Sequence, residues 1–251
     1  MQHDSLDSNP KNIDQITEGM PINVKLPLDF ESKVEPAECS ESSQGSEPFD
    51  RPIPQRDRYF DPMDEDRFLQ WTRTDVPIEL EIGSGKGLFL TNSAKKNPNR
   101  RYVGLEMAGS YAIDCEARVA KLRFENVKFF ACDAVMVIDR DVRDASLDAV
   151  HVYFPDPWWK ARHKKRRVLN EQSLLNIQRT LKPNGELHFW TDVLDYYEAT
   201  LELIDRITQL DGPFFVSEPP SEHDMDYLTH FERRTRQNGL PVYRSRFAKS
   251  Q

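Results

Sequence analysis

Apolar segments of strand length alternate with amphipathic segments of helix length from residue 78 onward, and this alternation most narrows the possible folds. The pattern predicts strands at 78–82, 102–106, 127–132, 149–154 and 187–190, and helices over 88–96, 111–122, 171–181 and 196–210. Two short strands follow near 214–216 and 242–244. Because strands that alternate with helices pair in parallel, the sequence predicts an α/β domain with a Rossmann-like, mostly parallel sheet and helices on both faces.

Acidic residues stand where the predicted strands end. Glu81 lies near the end of the first strand, and four later strands are closed or followed by a carboxylate: Glu106, Asp133, Asp156 and Asp192. The ligand crevice of an open α/β sheet lies at the carboxyl ends of its strands, so these side chains are expected to meet at one rim. A single strand-terminal Asp or Glu often only caps a helix, but this set beside one glycine-rich turn favours a binding site.

The glycine-rich turn after the first strand reads Glu81-Ile82-Gly83-Ser84-Gly85-Lys86-Gly87. A P-loop is disfavoured because Leu80 and Gly87 occupy its first glycine and its hydroxyl position, and a dinucleotide fingerprint is disfavoured because Leu88 replaces its third glycine. Spaced glycines behind a carboxylate suit S-adenosylmethionine instead, because that cofactor carries a sulfonium and an ammonium group and no phosphate. Glu106 is placed to accept the ribose hydroxyls and Asp133 the adenine amino group, so the sequence predicts a methyltransferase.

A second cluster follows the fourth strand, where Trp158 and Trp159 precede a strongly basic segment. Residues 160–167 contain six Lys or Arg residues among eight. Basic charge beside exposed aromatic rings suits phosphate contacts with base stacking, so this segment is predicted to bind RNA. A second basic group is expected to extend the same surface: Arg233, Arg234, Arg236, Arg244 and Arg246.

The overall charge does not contradict an RNA-binding role. The net charge of -8 comes from residues 1–50, which hold three basic and eleven acidic residues, so the rest of the chain is neutral. Residues 1–56 are poor in aromatic residues and rich in Ser, Pro and Glu, which predicts an acidic, disordered tail and linker before a methyltransferase domain at 57–251. No apolar run reaches the roughly 18–20 residues that span a bilayer, and Met1-Gln2-His3-Asp4 shows neither the basic nor the apolar region of a secretory signal, so neither a membrane protein nor a secreted protein is expected. The three cysteines are widely spaced and form no C-x-x-C pair, so neither a disulfide framework nor a metal site is expected. Without a disulfide framework, the cytoplasm is the expected compartment.

These motifs resemble a known family. The segment Phe154-Pro155-Asp156-Pro157-Trp158 with the basic residues after it, downstream of the glycine turn and upstream of Thr191-Asp192 and Thr229-His230-Phe231-Glu232, is similar to the bacterial tRNA (guanine-N7-)-methyltransferases, the TrmB family. The resemblance covers residues 76–247. It implies the class I S-adenosylmethionine-dependent methyltransferase fold and methyl transfer to guanine(46), in the variable loop of tRNA. The partner expected is tRNA, with no membrane and no metal, and the protein is expected to be a monomer or a homodimer.

The resemblance also assigns roles residue by residue. The cofactor contacts it implies are Glu81, Gly83, Gly85, Gly87, Glu106, Asp133 and Asp156, and Asp156 is also the catalytic residue. The substrate contacts it implies are Lys160, Asp192, Thr229, His230, Phe231 and Glu232. The RNA contacts are Arg162, His163, Lys164, Lys165, Arg166 and Arg167. His230 stands where the family often has Lys, so this chain departs from the pattern at that position.

Two alternative functions remain open from the sequence. Asp156-Pro157-Trp158-Trp159 loosely resembles the D-P-P-Y motif of exocyclic-amine methyltransferases, although Trp158 replaces the second proline. The other alternative is an RNA-binding module on a non-catalytic methyltransferase fold. In the favoured reaction, N7 of guanine attacks without prior deprotonation, so Asp156 is expected to orient the base and stabilise positive charge. Either Trp158 or Trp159 is expected to hold a displaced base, or else both pack in the interior.

Overall fold

A seven-stranded sheet forms the centre of the computed structural model, which describes residues 62–218, 220, 223 and 227–251. Its strands are β1 (Ile78–Ile82), β2 (Arg101–Glu106), β3 (Val127–Ala131), β4 (Leu147–Tyr153), β5 (Leu181–Thr191), β6 (Leu210–Phe215) and β7 (Tyr243–Lys249). Its helices are α1 (Pro62–Thr72), α2 (Leu88–Lys96), α3 (Gly109–Lys121), α4 (Ala134–Arg140), α5 (Glu171–Thr180), α6 (Leu194–Ile207) and α7 (His230–Gln237), with a 3₁₀ helix over Ala161–Arg166. The predicted tail at 1–56 lies outside the described residues, so it and the domain start at residue 57 stay predictions.

The strand order is β3-β2-β1-β4-β5-β7-β6, and the first five strands are parallel. β7 lies antiparallel between β5 and β6. The chain moves outward from β1 to β3 and then crosses back to β4 on the other side of β1. The carboxyl ends of β1 and β4 therefore flank the point where the strand order reverses, which is where open α/β sheets bind their ligands.

Helices cover both faces of the sheet, as predicted. On one face, the buried side chains of α1, α4, α5 and α6 pack against the strands in one hydrophobic cluster. On the other face, α2 and α3 pack in a second cluster that includes Phe89, Cys115, Phe129, Tyr153 and Trp190. β4 is central and almost continuously buried, as expected for a parallel strand that is covered on both sides. The predicted α/β class with a mostly parallel sheet is confirmed.

Three helices were not predicted, and each lacks the apolar periodicity on which the prediction depended. α1 buries only Phe68 fully, and α4 is a short, β-branched segment that resembles a strand in sequence. In α7 the buried residues are Glu232 and Thr235, so its inward face is polar. The turn predicted at 182–185 is part of β5, where pairing moves from Leu181 to Glu186 across a bulge.

Candidate functional site

The glycine-rich turn lies at the carboxyl end of β1 and is held by backbone hydrogen bonds. Gly83, Gly85 and Gly87 have φ values of 75°, 51° and 67°, which residues other than glycine rarely adopt. Gly83 N donates to Leu105 O at 2.8 Å, which ties the turn to β2. A Cβ atom on Gly87 would lie 2.6 Å from Cζ of Phe129, so this position has no room for a side chain. All three predicted glycines therefore have the left-handed backbone of this turn, and Gly87 is also closely packed, whereas a Cβ atom on Gly83 or Gly85 would meet nothing within 4 Å.

Glu106 fastens this turn at the end of β2. Its Oε2 accepts a hydrogen bond from Gly85 N at 2.7 Å, and its Oε1 accepts one from Ala108 N at 2.8 Å. The second bond also fixes the start of α3. The predicted neighbourhood of Glu106 and the glycine turn is thus present, and the carboxylate stays only partly buried at the rim.

Glu81 is the most unusual carboxylate of the site. It is 3% exposed, and Oε2 of Glu81 and Oγ of Ser84 are buried without a hydrogen-bond partner among the described residues. Burial, together with the negative charge of Glu106, raises the pKa of Glu81 well above its ordinary range. An unpaired buried carboxylate is costly, so the site suits a ligand that brings a positive charge. The oxygen atoms of Glu81 and Ser84 can accept hydrogen bonds from the ammonium group of S-adenosylmethionine, and the carboxylate charge also suits its sulfonium group.

Asp133 follows β3 and caps α4. Its Oδ1 accepts hydrogen bonds from Val135 N at 3.0 Å and Met136 N at 3.4 Å. The side chain therefore has the structural role that an isolated strand-terminal acid commonly has. It lies half-buried at the same rim as Glu106, after the neighbouring strand of the sheet.

Asp156 is exposed between two prolines beyond β4. Phe154 and Trp158, on either side of Pro155-Asp156-Pro157, have positive φ values of 50° and 46°. Such values are uncommon for large side chains and recur at functional sites. Pro157 O accepts a hydrogen bond from Arg167 Nε at 2.8 Å, which holds the end of the segment.

The basic segment that follows is only partly available to RNA. Four of its cations are exposed, namely Lys160, Arg162, Lys165 and Arg166, whereas the side chain of Lys164 lies outside the described part. Arg167 is half-buried, and its guanidinium lies 4.4 Å from the ring centroid of Tyr196. His163 is half-buried, with its Nε2 accepting from Arg162 Nε at 3.2 Å. Arg167 therefore fixes the loop in this structure.

Glu232 is fully buried at the start of α7 and forms an internal ionic cluster. Its Oε1 lies 3.1 Å from Arg244 Nη2 and 3.3 Å from Arg236 Nη1, and its Oε2 accepts from Leu228 N at 2.7 Å. Both guanidinium groups also pair with Glu218. The expectation that the C-terminal arginines extend the RNA surface is wrong for Arg236 and Arg244, because their side chains are only 12% and 5% exposed and ion-paired.

The neighbouring predicted substrate residues lie along the same helix. Thr229 caps α7, with its Oγ1 accepting from Glu232 N at 3.0 Å. Phe231 is 54% exposed, and its ring stacks on that of Phe154 at 6.2 Å, which brings α7 to the Asp156 segment. Burial and the nearby charges of Arg233, Lys86 and Arg118 lower the pKa of His230, so α7 also lies near the glycine turn. Asp192 is exposed after β5, and its Oδ2 lies 3.5 Å from Oγ1 of Thr235 in α7.

The sequence analysis did not identify the support that α3 gives the glycine turn. Arg118 Nη2 donates to the carbonyl oxygen of Lys86, and Cys115 Sγ lies 3.6 Å from Gly85 O. Arg118 in a helix resembles an ordinary solvated cation, so the sequence carried no signal for this contact. Among the described residues there is no group of three or more His, Cys, Asp or Glu side chains arranged for a metal ion.

Comparison with known proteins agrees with this geometry. A family model described as a putative methyltransferase matches residues 75–245. Over 176 residues the chain is 50% identical to a tRNA (guanine-N(7)-)-methyltransferase of Rhodopirellula baltica, an alignment that covers 68% of this chain and 65% of that protein. A tRNA (guanine-N(7)-)-methyltransferase of Streptococcus thermophilus is 32% identical over 68% of this chain and 79% of its own length. The chain belongs to the tRNA (guanine-N7-)-methyltransferase family.

Comparison with solved structures bears on the fold. A solved structure of an antibiotic-related methyltransferase matches with a TM-score of 0.51 and 17% identity, over 74% of this chain and 94% of that one. At that identity the match bears on the fold alone, and it confirms the predicted class I methyltransferase fold. No helix in the described part of this family member has the length and apolar content to cross a bilayer.

Proposed function

We propose that this protein transfers the methyl group of S-adenosylmethionine to N7 of guanine(46), in the variable loop of tRNA. The observation that carries the proposal is the presence of two carboxylates in different environments at the carboxyl ends of the adjacent strands β1 and β4. Glu81, near the end of β1, is buried and its Oε2 lacks a hydrogen-bond partner among the described residues, whereas Asp156, after β4, is exposed between two prolines. Family membership favours this reaction over an exocyclic-amine methyltransferase and over a binding module without activity.

The cofactor-facing residues divide the work of binding. Glu81 faces the positive groups of the cofactor, and the Gly83, Gly85 and Gly87 backbone lets it approach closely. Glu106 accepts the ribose hydroxyls with the lone pairs that its two amide contacts leave free, and Asp133 accepts from the adenine amino group. When bound, S-adenosylmethionine supplies an electrophilic methyl group.

The chemistry demands placement more than proton transfer. N7 of guanine has an in-plane lone pair, so no base must remove a proton before attack. Asp156 orients the base edge, contacts the cofactor and stabilises the positive charge that the product ring acquires. The two prolines beside Asp156 restrict the backbone, which holds the carboxylate in one place before substrate arrives.

Substrate and RNA contacts surround this centre. Lys160, Asp192, His230 and Phe231 contact the substrate, while Thr229 and Glu232 serve it by fixing the start of α7. The exposed cations of the basic segment pair with tRNA phosphates. A tRNA substrate supports the cytoplasm as the compartment of the reaction.

The test is incubation with unmodified tRNA and methyl-labelled S-adenosylmethionine, followed by digestion and nucleoside analysis. The expected product is labelled 7-methylguanosine, which a transcript with adenosine at position 46 does not yield. Label at another guanosine overturns the position, and label on an exocyclic amine overturns the atom. Binding of tRNA without any transfer overturns the enzymatic proposal.

A further inference from the structure

Two adjacent tryptophans after the Asp156 segment have opposite environments. Trp158 is half-buried, with the Arg166 guanidinium 5.1 Å from its ring centroid and the His163 ring edge-on at 5.8 Å. Trp159 is 66% exposed, far more than its neighbour. The sequence alone gave both residues the same two possible roles, and the structure separates them.

The outward position of Trp159 follows from the backbone. The left-handed conformation at Trp158, with φ 46°, turns the chain between the two residues. Arg167 Nε donates a hydrogen bond of 2.8 Å to Pro157 O, which holds the residue before Trp158 in place. Trp158, Arg166 and Arg167 thus form a support from which the indole of Trp159 extends into solvent.

The surroundings of Trp159 suit an RNA ligand. Exposed apolar side chains that stand singly on a surface need no explanation. In the sequence, Trp159 instead lies between the exposed Asp156 and four exposed cations, which are Lys160, Arg162, Lys165 and Arg166. An open aromatic face among cations that pair with phosphates is the arrangement by which proteins stack on unpaired bases.

We propose that Trp159 stacks on an unpaired base of the tRNA at the entrance to the site, and that Trp158 is its structural support. This inference rests on the proposed tRNA substrate. Every base has a π-face, so the contact adds affinity without requiring a particular base. It also predicts that the enzyme distinguishes an open variable loop from a closed helix of the same charge.

The test compares Trp159→Leu and Trp159→Phe in binding to an unmodified tRNA transcript and to a fully paired RNA duplex. Trp159→Leu should bind the transcript about 5- to 150-fold more weakly, because it removes one stacked base. Its affinity for the duplex should not change, since a duplex offers no free base face. Trp159→Phe should recover much of the loss. Equal affinity of Trp159→Leu and wild type for the transcript, or an equal loss on both RNAs, would overturn the proposal.

Tryptophan fluorescence gives an independent reading, because the chain contains four tryptophans and one of them is the proposed stacking residue. Transcript binding should quench the wild-type emission, and Trp159→Phe should lose that quenching whereas Trp158→Phe keeps it. Persistence of the full quench in Trp159→Phe counts against stacking. If the wild type makes no 7-methylguanosine but these binding differences hold, the proposed function fails and the stacking contact stands.

Discussion

Glu81→Gln tests the electrostatic reasoning most directly, because β1 carries a built-in control. Glu79 and Glu81 lie on the same face of the strand, yet the pKa of Glu81 is raised and that of Glu79 is lowered. Burial would raise the pKa of Glu79, but the hydrogen bond from His151 and the charge of Arg100 outweigh it. The two substitutions remove the same charge from opposite environments.

The signs of the stability effects follow from proton linkage. Glu81 holds its proton more tightly in the folded state, so the free energy of unfolding falls as pH rises above its ordinary pKa of 4.5. Glutamine removes that cost, and Glu81→Gln without ligand should melt at a higher temperature than wild type at neutral pH. Glu79 contributes stability above its ordinary pKa of 4.5 and loses it as pH falls. Glu79→Gln should therefore melt lower at neutral pH.

Cofactor binding should move in the other direction for Glu81→Gln. Removing one partner of a buried charge pair costs about 3 kcal/mol, which weakens binding of S-adenosylmethionine roughly 150-fold. Titration calorimetry with S-adenosylmethionine measures this loss. From mildly acidic to neutral pH, the difference between wild type and Glu81→Gln should grow, because only the deprotonated carboxylate attracts the cation.

The expected signature is a variant that is more stable alone and unable to hold the cofactor. Thermal unfolding of wild type, Glu81→Gln and Glu79→Gln, each with and without S-adenosylmethionine, gives all the comparisons needed. If Glu81→Gln melts lower than wild type without ligand, or binds the cofactor with unchanged affinity, the assignment of Glu81 as an unpaired buried charge is refuted. A lower melting temperature for both variants would indicate a packing role for both side chains.

Three further variants, one of them a double substitution, test other parts of the site and of the sheet that supports it. Asp156→Asn should lower turnover by about 10²- to 10³-fold in single-turnover kinetics, because it removes the charge that stabilises the cationic product, while cofactor affinity is partly kept; near-normal turnover contradicts this role. Lys160→Ala combined with Arg166→Ala should weaken tRNA binding and make the salt dependence of log K shallower by about 1.5, the loss of two phosphate contacts, and an unchanged slope would show that neither residue touches phosphate. Gly104→Ala places a Cβ atom 2.5 Å from Cδ1 of Phe129, so calorimetric unfolding should show a loss of about 1–3 kcal/mol, and wild-type stability would mean that the ring moves aside.

The sheet could be predicted from the sequence more clearly than α7, the helix that carries the predicted substrate residues. The location of the strand-ending carboxylates and of the glycine turn could be predicted because parallel strands bring their carboxyl ends to one rim. α7 could not be predicted from the sequence, because its buried residues are Glu232 and Thr235 and a polar buried face produces no hydrophobic periodicity. The ion pairs of Arg236 and Arg244 could not be predicted either. In the sequence, these two arginines look like part of an RNA-binding surface, because nothing there shows their partners. Only the fold shows which cations have internal partners.

A carboxylate at a strand end can be a structural cap and a ligand contact at the same time. Asp133 uses Oδ1 to cap α4, and Glu106 uses both oxygens to accept backbone amides that shape the glycine turn and α3. Each oxygen has a further lone pair, so the same side chains remain able to accept bonds from a ligand. Substitution at either position disturbs local structure and binding together, and its effect on activity cannot be assigned to one of them. Glu81 differs because its buried Oε2 has no hydrogen-bond partner in the described part of the chain. Loss of cofactor affinity at Glu81, accompanied by a gain in stability, would therefore report binding alone.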